Sequence, residues 1–229
     1  MSMLARLSLA PPLARSAALA MAVLLAGCSA LPGAPGAQRP PAPASQSREG
    51  RQCLAELAAT GAVYTPLPDR QPAPGCRQIN AVQLTNVASD AARVMIGNLG
   101  PVTCAVSTAF AGWARYGVDR AARQWLGAPV RSIETFGSYS CRNVAGTGRR
   151  SAHATAEAID VSGFVLADGR RITVQAGWSG GSPAERRFLR AIHASACRRF
   201  ATVLGPDYNS AHHDHLHLEG VAQGGTYCR

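Results

Sequence analysis

Lysine is absent from this chain. All 23 basic side chains of the 229 residues are arginine, against 13 acidic ones, for a formal charge of +10. Arginine holds its charge at any pH and grips carboxylates or phosphates as a fork. Such a surface suits anionic partners: nucleic acid, lipid headgroups or an acidic cell wall. Arginine-rich runs with interleaved aromatics are also missing, which argues against a nucleic-acid partner. No C-x-x-C pair occurs, so a cysteine zinc cluster is not expected. No internal repeat is visible. Histidine is scarce, yet four of the six residues, His212, His213, His215 and His217, crowd into "HHDHLH".

The N-terminus bears on the compartment. Arg6 and Arg15 precede the apolar run "AALAMAVLLAG". Roughly a dozen residues is too short to span a bilayer and has the form of a signal peptide. The run ends in Leu25, Ala26, Gly27 and Cys28, which resembles a bacterial lipobox. That resemblance implies a signal peptide over 1–28 and lipidation of Cys28. Ser29 after the cysteine then implies an outer-membrane lipoprotein, facing the periplasm in the cell envelope. Ordinary cleavage near "CSA" is the alternative. Removing Cys28 leaves six cysteines: Cys53, Cys76, Cys104, Cys141, Cys197 and Cys228. An even number in an oxidising compartment reads as three disulfides. Pairing neighbours along the chain gives Cys53–Cys76, Cys104–Cys141 and Cys197–Cys228.

Residues 29–50 are rich in Pro, Ala, Gly and Ser and nearly without large apolar side chains. Such a stretch cannot bury enough surface to offset its ordering entropy and is expected to be a semi-extended tether. Residues 51–229 are expected to form one compact, monomeric domain. "TPLPDRQPAPGC" reads as loop. Val106, Phe110 and Trp113, then Ala121 and Trp125, give helical spacing over 103–126, ended by Gly127 and Pro129. The stretch 130–141 reads as extended. Ile159, Val161 and Val165 share the parity of a strand, "ADGR" is a turn, and Ile172 and Val174 begin a return strand. "SPAE" opens a helix with a Ser182–Glu185 capping box and Pro183 in its first turn. "DHLHLE" alternates as a strand does. The order predicts an α+β domain, a small antiparallel sheet with flanking helices.

Two stretches carry chemistry. On a strand, His215 and His217 share one face, with Leu216 and Leu218 on the other and Asp214 beside them. In "SAHATAEAID", His153 and Asp160 are seven apart, joined by small residues that let a loop or one turn bring both side chains to one point. His153, Asp160 and one of His215 or His217 make three zinc ligands. A fourth position left for water is the arrangement of a catalytic zinc site.

The pattern Ser151-x-His153, then Ala158-x-Asp160, followed by Asp214-His215-x-His217, resembles the zinc D-alanyl-D-alanine metallopeptidases. These are grouped with the lysostaphin-type and hedgehog-type zinc domains. More closely, "FGSYSCRN", "AHATAEAIDVSGF", "FLRAIHASACRRFATVLGPDYN" and "HHDHLHLEG" resemble the bacterial extensin-like C-terminal domain over roughly 51–229. The resemblance implies a Zn2+ site on the sheet, held by His153, Asp160 and His217. It implies Asp214 as the general base and His215 as a stabiliser of the transition state. It implies Arg142 and Ser151 as substrate-binding residues. The implied activity is a peptidase of D,D- or L,D-carboxypeptidase or endopeptidase type acting on peptidoglycan stem peptides. A non-catalytic, metal-containing wall-binding or scaffold lipoprotein is the alternative, and zinc carriage is a third. One departure stands out: the motif's glycine is Ala156. If that position needs a positive φ, alanine costs about 1 kcal/mol there.

Overall fold

The computed structural model describes residues 47–229. The expected signal peptide, Cys28 and the expected tether up to residue 46 lie outside the described residues. Helix α1 (Arg48–Ala59) takes in residues 48–50, expected at the end of the tether, because Ser47 caps it by accepting from Gly50 N–H at 3.0 Å.

The chain then runs through β1 (Val63–Pro66), β2 (Arg70–Ala73), β3 (Cys76–Gln78), β4 (Ala81–Ala88), β5 (Arg93–Gly97) and β6 (Pro101–Thr103). Helices α2 (Cys104–Trp113) and α3 (Arg120–Leu126) are joined by a π-helical stretch, Ala114–Asp119. Next come β7 (Val130–Gly137), β8 (Ala158–Leu166), β9 (Arg171–Thr173), the single turn α4 (Val174–Gly177) and α5 (Pro183–Ala196). Strands β10 (Thr202–Leu204), β11 (Leu216–Glu219) and β12 (Tyr227–Cys228) complete the fold.

The domain is α+β, as expected, but its sheet is neither small nor wholly antiparallel. Ten strands form one mixed sheet in the order β1-β4-β5-β7-β8-β11-β10-β12, with β6 on β4 and β9 on β8. The pairs β5–β7 and β10–β12 are parallel. "TPLPDRQPAPGC", expected as loop, runs from the last two residues of β1 through all of β2 and its turn to Cys76, the first residue of β3. Proline suits these strands because it gives up a ladder donor only where one is not needed, at edges and strand ends.

The long helix expected over 103–126 forms, but it widens at the π-helical stretch. Gly117 lets that stretch lie against α5: a Cβ there would meet Ser195 Oγ at 2.5 Å. Trp113 anchors the contact, its indole N–H donating to Ile192 O at 2.9 Å among Phe110, Phe164 and Phe200. The predicted capping box of α5 is present, with Ser182 and Glu185 satisfying each other's backbone N–H.

The six cysteines form three disulfides, but two pairings differ from the neighbour order. Cys53 joins Cys104 and Cys76 joins Cys141, with Cα–Cα distances of 6.1 and 5.5 Å. The reason is packing: α1 lies along α2, which places Cys53 beside the first residue of α2, and β3 lies beside the segment that follows β7. Cys197–Cys228 is as expected, tying the end of α5 to β12. Non-reducing peptide mapping should recover these three links. Cys76→Ser, which frees a 65-residue separation, should lower unfolding free energy by about 2–4 kcal/mol in urea titrations; an unchanged midpoint would contradict the Cys76–Cys141 link.

Candidate metal centre

The centre is built on one strand pair. Strands β8 and β11 run antiparallel with His217 directly opposite Asp160, Leu216 opposite Val161 and Leu218 opposite Ile159. All four apolar partners are fully buried. Because side chains alternate along a strand, burying that face fixes Asp160 and His217 on the other. His153 arrives from the 3-10 turn Ala152–Thr155 just before β8. Ser151 caps that turn, its hydroxyl accepting from His153 N–H at 3.3 Å. Ser151 is itself buried.

Ala156 closes the turn at φ 57° and ψ 28°, the left-handed region. Its N–H bonds back to the turn, and its carbonyl accepts from Thr103 N–H at 2.9 Å. The position therefore demands the conformation for which the motif's glycine is suited.

His153 Nε2 lies 3.1 Å from Asp160 Oδ2 and 3.3 Å from His217 Nδ1, and His217 Nδ1 lies 2.9 Å from Asp160 Oδ1. The outer nitrogens settle what the inner ones present. His153 Nδ1–H donates to the Ser138 carbonyl at 2.7 Å, and His217 Nε2–H donates to Glu219 at 3.0 Å. With neutral rings, two imidazole lone pairs and a carboxylate therefore point at one place. Outer acceptors of this kind orient zinc-bound histidines. Atoms about 2.0–2.2 Å from a common zinc stand about 3.3–3.6 Å apart at tetrahedral angles, so opening the triad by a few tenths of an ångström accommodates the ion. The donor set fits zinc.

Without metal, a proton takes the ion's place. Burial works against charge on His217, but hydrogen bonds to Asp160 and Glu219 outweigh it and raise the imidazole to about 9. Burial likewise opposes charge on Asp160, and hydrogen bonds from His153 and His217 overcome it, holding the carboxyl below the usual range.

Beside the triad, His215 Nδ1–H donates to Asp214 at 2.8 Å, and its Nε2 lies 3.4 Å from Asp160 Oδ1. Asp214 thus reaches the centre through His215. His212 packs against the rings of both His215 and His217, at 5.2 and 5.7 Å. Burial, with the charges of His215 and His217, pushes it down to about 4. Arg142 is exposed, and its charge adds to the lowering of His212.

Three participants escaped the sequence reading. Glu219 had a signal, since it shares strand parity with His215 and His217. His212 had only its place in the histidine run. The Ser138 carbonyl, being backbone, had none.

The family description Extensin-like protein C-terminus matches residues 51–229. The chain belongs to the extensin-like C-terminal family. No curated protein and no solved structure matches this extensin-like chain.

Two outcomes test the centre. Ala156→Gly should raise the unfolding free energy in urea titrations by up to about 1 kcal/mol, as relief of the left-handed strain exceeds the added chain entropy. In metal-free protein, the His217 proton stabilises the fold fully below pH 6.5 and is lost as pH rises through about 9. The urea midpoint in chelator should therefore fall across that window, and His217→Gln should flatten it.

Proposed function

We propose that this extensin-like domain is a zinc-dependent peptidase acting on the peptide stems of bacterial peptidoglycan, held at the periplasmic face of the outer membrane by lipid on Cys28. The observation that carries the reading is the pairing of two features: a three-ligand convergence of His153, Asp160 and His217, and a hydrogen-bonded Asp214–His215 pair facing the same point. A site built only to store metal has no use for the second feature. The pattern's resemblance to the zinc D-alanyl-D-alanine metallopeptidases supports the same activity.

Zinc, when bound, supplies a Lewis acid that acidifies water and polarises a carbonyl. The chain supplies the rest. Arg142 takes the substrate's terminal carboxylate as a fork. Asp214 holds His215 Nδ1–H and so keeps the lone pair on Nε2, which faces the centre. His215 Nε2 takes the proton from the attacking water and returns it to the departing amine. Glu219 and the Ser138 carbonyl keep both ligand rings turned inward. The arginine-rich chain, at +10 overall, suits an acidic wall.

Mutation should separate metal from turnover. His153→Ala, Asp160→Ala and His217→Ala should each purify with zinc near zero. Asp214→Asn should keep about one zinc per chain and lose about 10²–10⁴ in cleavage, because the amide no longer fixes the His215 tautomer. Zinc is measured by mass spectrometry, as are the products released from isolated peptidoglycan. Loss of zinc from Asp214→Asn would place that carboxylate on the metal. A fully loaded wild-type protein that leaves every wall peptide intact would favour the binding-module alternative.

A further inference from the structure

Most large apolar side chains of the domain are buried, yet three aromatic rings beside the centre are not. Phe136 is 57% exposed, Tyr227 47% and Tyr208 40%. They are joined by histidine rings into one path. Phe136 lies 5.9 Å from His215, His215 5.2 Å from His212, His212 5.4 Å from Tyr208, and Tyr208 6.1 Å from Tyr227. The Arg229 guanidinium sits over Tyr227 at 5.4 Å. In sheet terms the path runs from β7 across β8, β11 and β10 to β12, with Asp160 and His217 under its middle. A strip that long serves an extended ligand, not a single side chain.

We infer that Tyr208 and Tyr227 form a saccharide subsite that stacks on the sugar chain bearing the peptide; this rests on the peptidase reading above. Aromatic faces carry negative charge and attract the C–H faces of a sugar ring. Beside Tyr208, exposed Asn209 and Ser210 bring an amide and a hydroxyl suited to sugar hydroxyls and acetamido groups, while Asp207 is held by Arg190 and the Trp178 indole N–H. An apolar peptide side chain would instead seek an enclosed apolar pocket. Single-stranded nucleic acid also stacks on aromatics, but along a uniformly positive groove; Asp207 and Asp214 break such a groove here.

The test is direct binding of a β-1,4-linked N-acetylglucosamine tetramer to the full zinc-loaded chain, followed by ligand-observed NMR. Saturable binding is expected. Tyr208→Ala and Tyr227→Ala should each weaken it by about fivefold to tenfold, while Tyr208→Phe and Tyr227→Phe stay within about twofold, since the ring and not the hydroxyl makes the contact. Trp125→Ala, away from the strip, should bind as wild type. Zinc content checks that each variant is folded, and Tyr208→Leu and Tyr227→Leu, which keep bulk but lose the ring and should weaken binding to the same extent, carry the test if an Ala variant is not. No saturable binding by wild type, unchanged binding by the Ala variants, or tighter binding of an oligothymidylate would overturn the inference. Stem-peptide cleavage without sugar binding removes this subsite alone. Sugar binding without cleavage keeps it and removes the peptidase.

Discussion

The register between β8 and β11 is the constraint on which the rest depends. A strand pair exposes alternate residues, so burial of Ile159, Val161, Leu216 and Leu218 dictates where Asp160 and His217 point. Each such side chain contributes about 1.5–3 kcal/mol on burial. A slip of one residue would bury the carboxylate and the imidazole together and expose the leucines. The apolar face thus holds the polar face in place, and the centre inherits its geometry from the core.

That arrangement stores an electrostatic problem. Two inward lone pairs and a carboxylate in a buried site need a cation. A proton on His217 answers in the metal-free protein; a divalent ion answers more fully. The polar groups behind the rings, Glu219 and the Ser138 carbonyl, make both answers possible by fixing ring orientation in advance. Ser151 and the left-handed Ala156 do the same for His153 through the backbone. Retaining alanine at a position suited to glycine shows that the turn is held by its surroundings, including Thr103 N–H on the Ala156 carbonyl.

Local pattern carried most of the centre. The seven-residue interval between His153 and Asp160, and the parity of His215 and His217, are short-range facts that a turn and a strand convert directly into geometry. The α5 capping box and the strand over Ile159, Val161 and Val165 were legible for the same reason. Long-range facts were not. Nothing local to Cys53 says that α1 will lie along α2, so neighbour pairing of the cysteines failed in two of three cases. The parallel pairings of β5 with β7 and β10 with β12 join segments far apart in sequence, which enlarged the sheet beyond the small antiparallel one expected. The hydrogen bond from His215 Nδ1–H to Asp214 needed the third dimension too.

The most direct test of the account is X-ray absorption at the zinc edge on the zinc-loaded protein. A first shell of two imidazole nitrogens with oxygen scatterers, at about 2.0–2.2 Å, is the result predicted by His153, Asp160 and His217. A sulfur scatterer near about 2.3 Å, or a shell without two imidazoles, would contradict it.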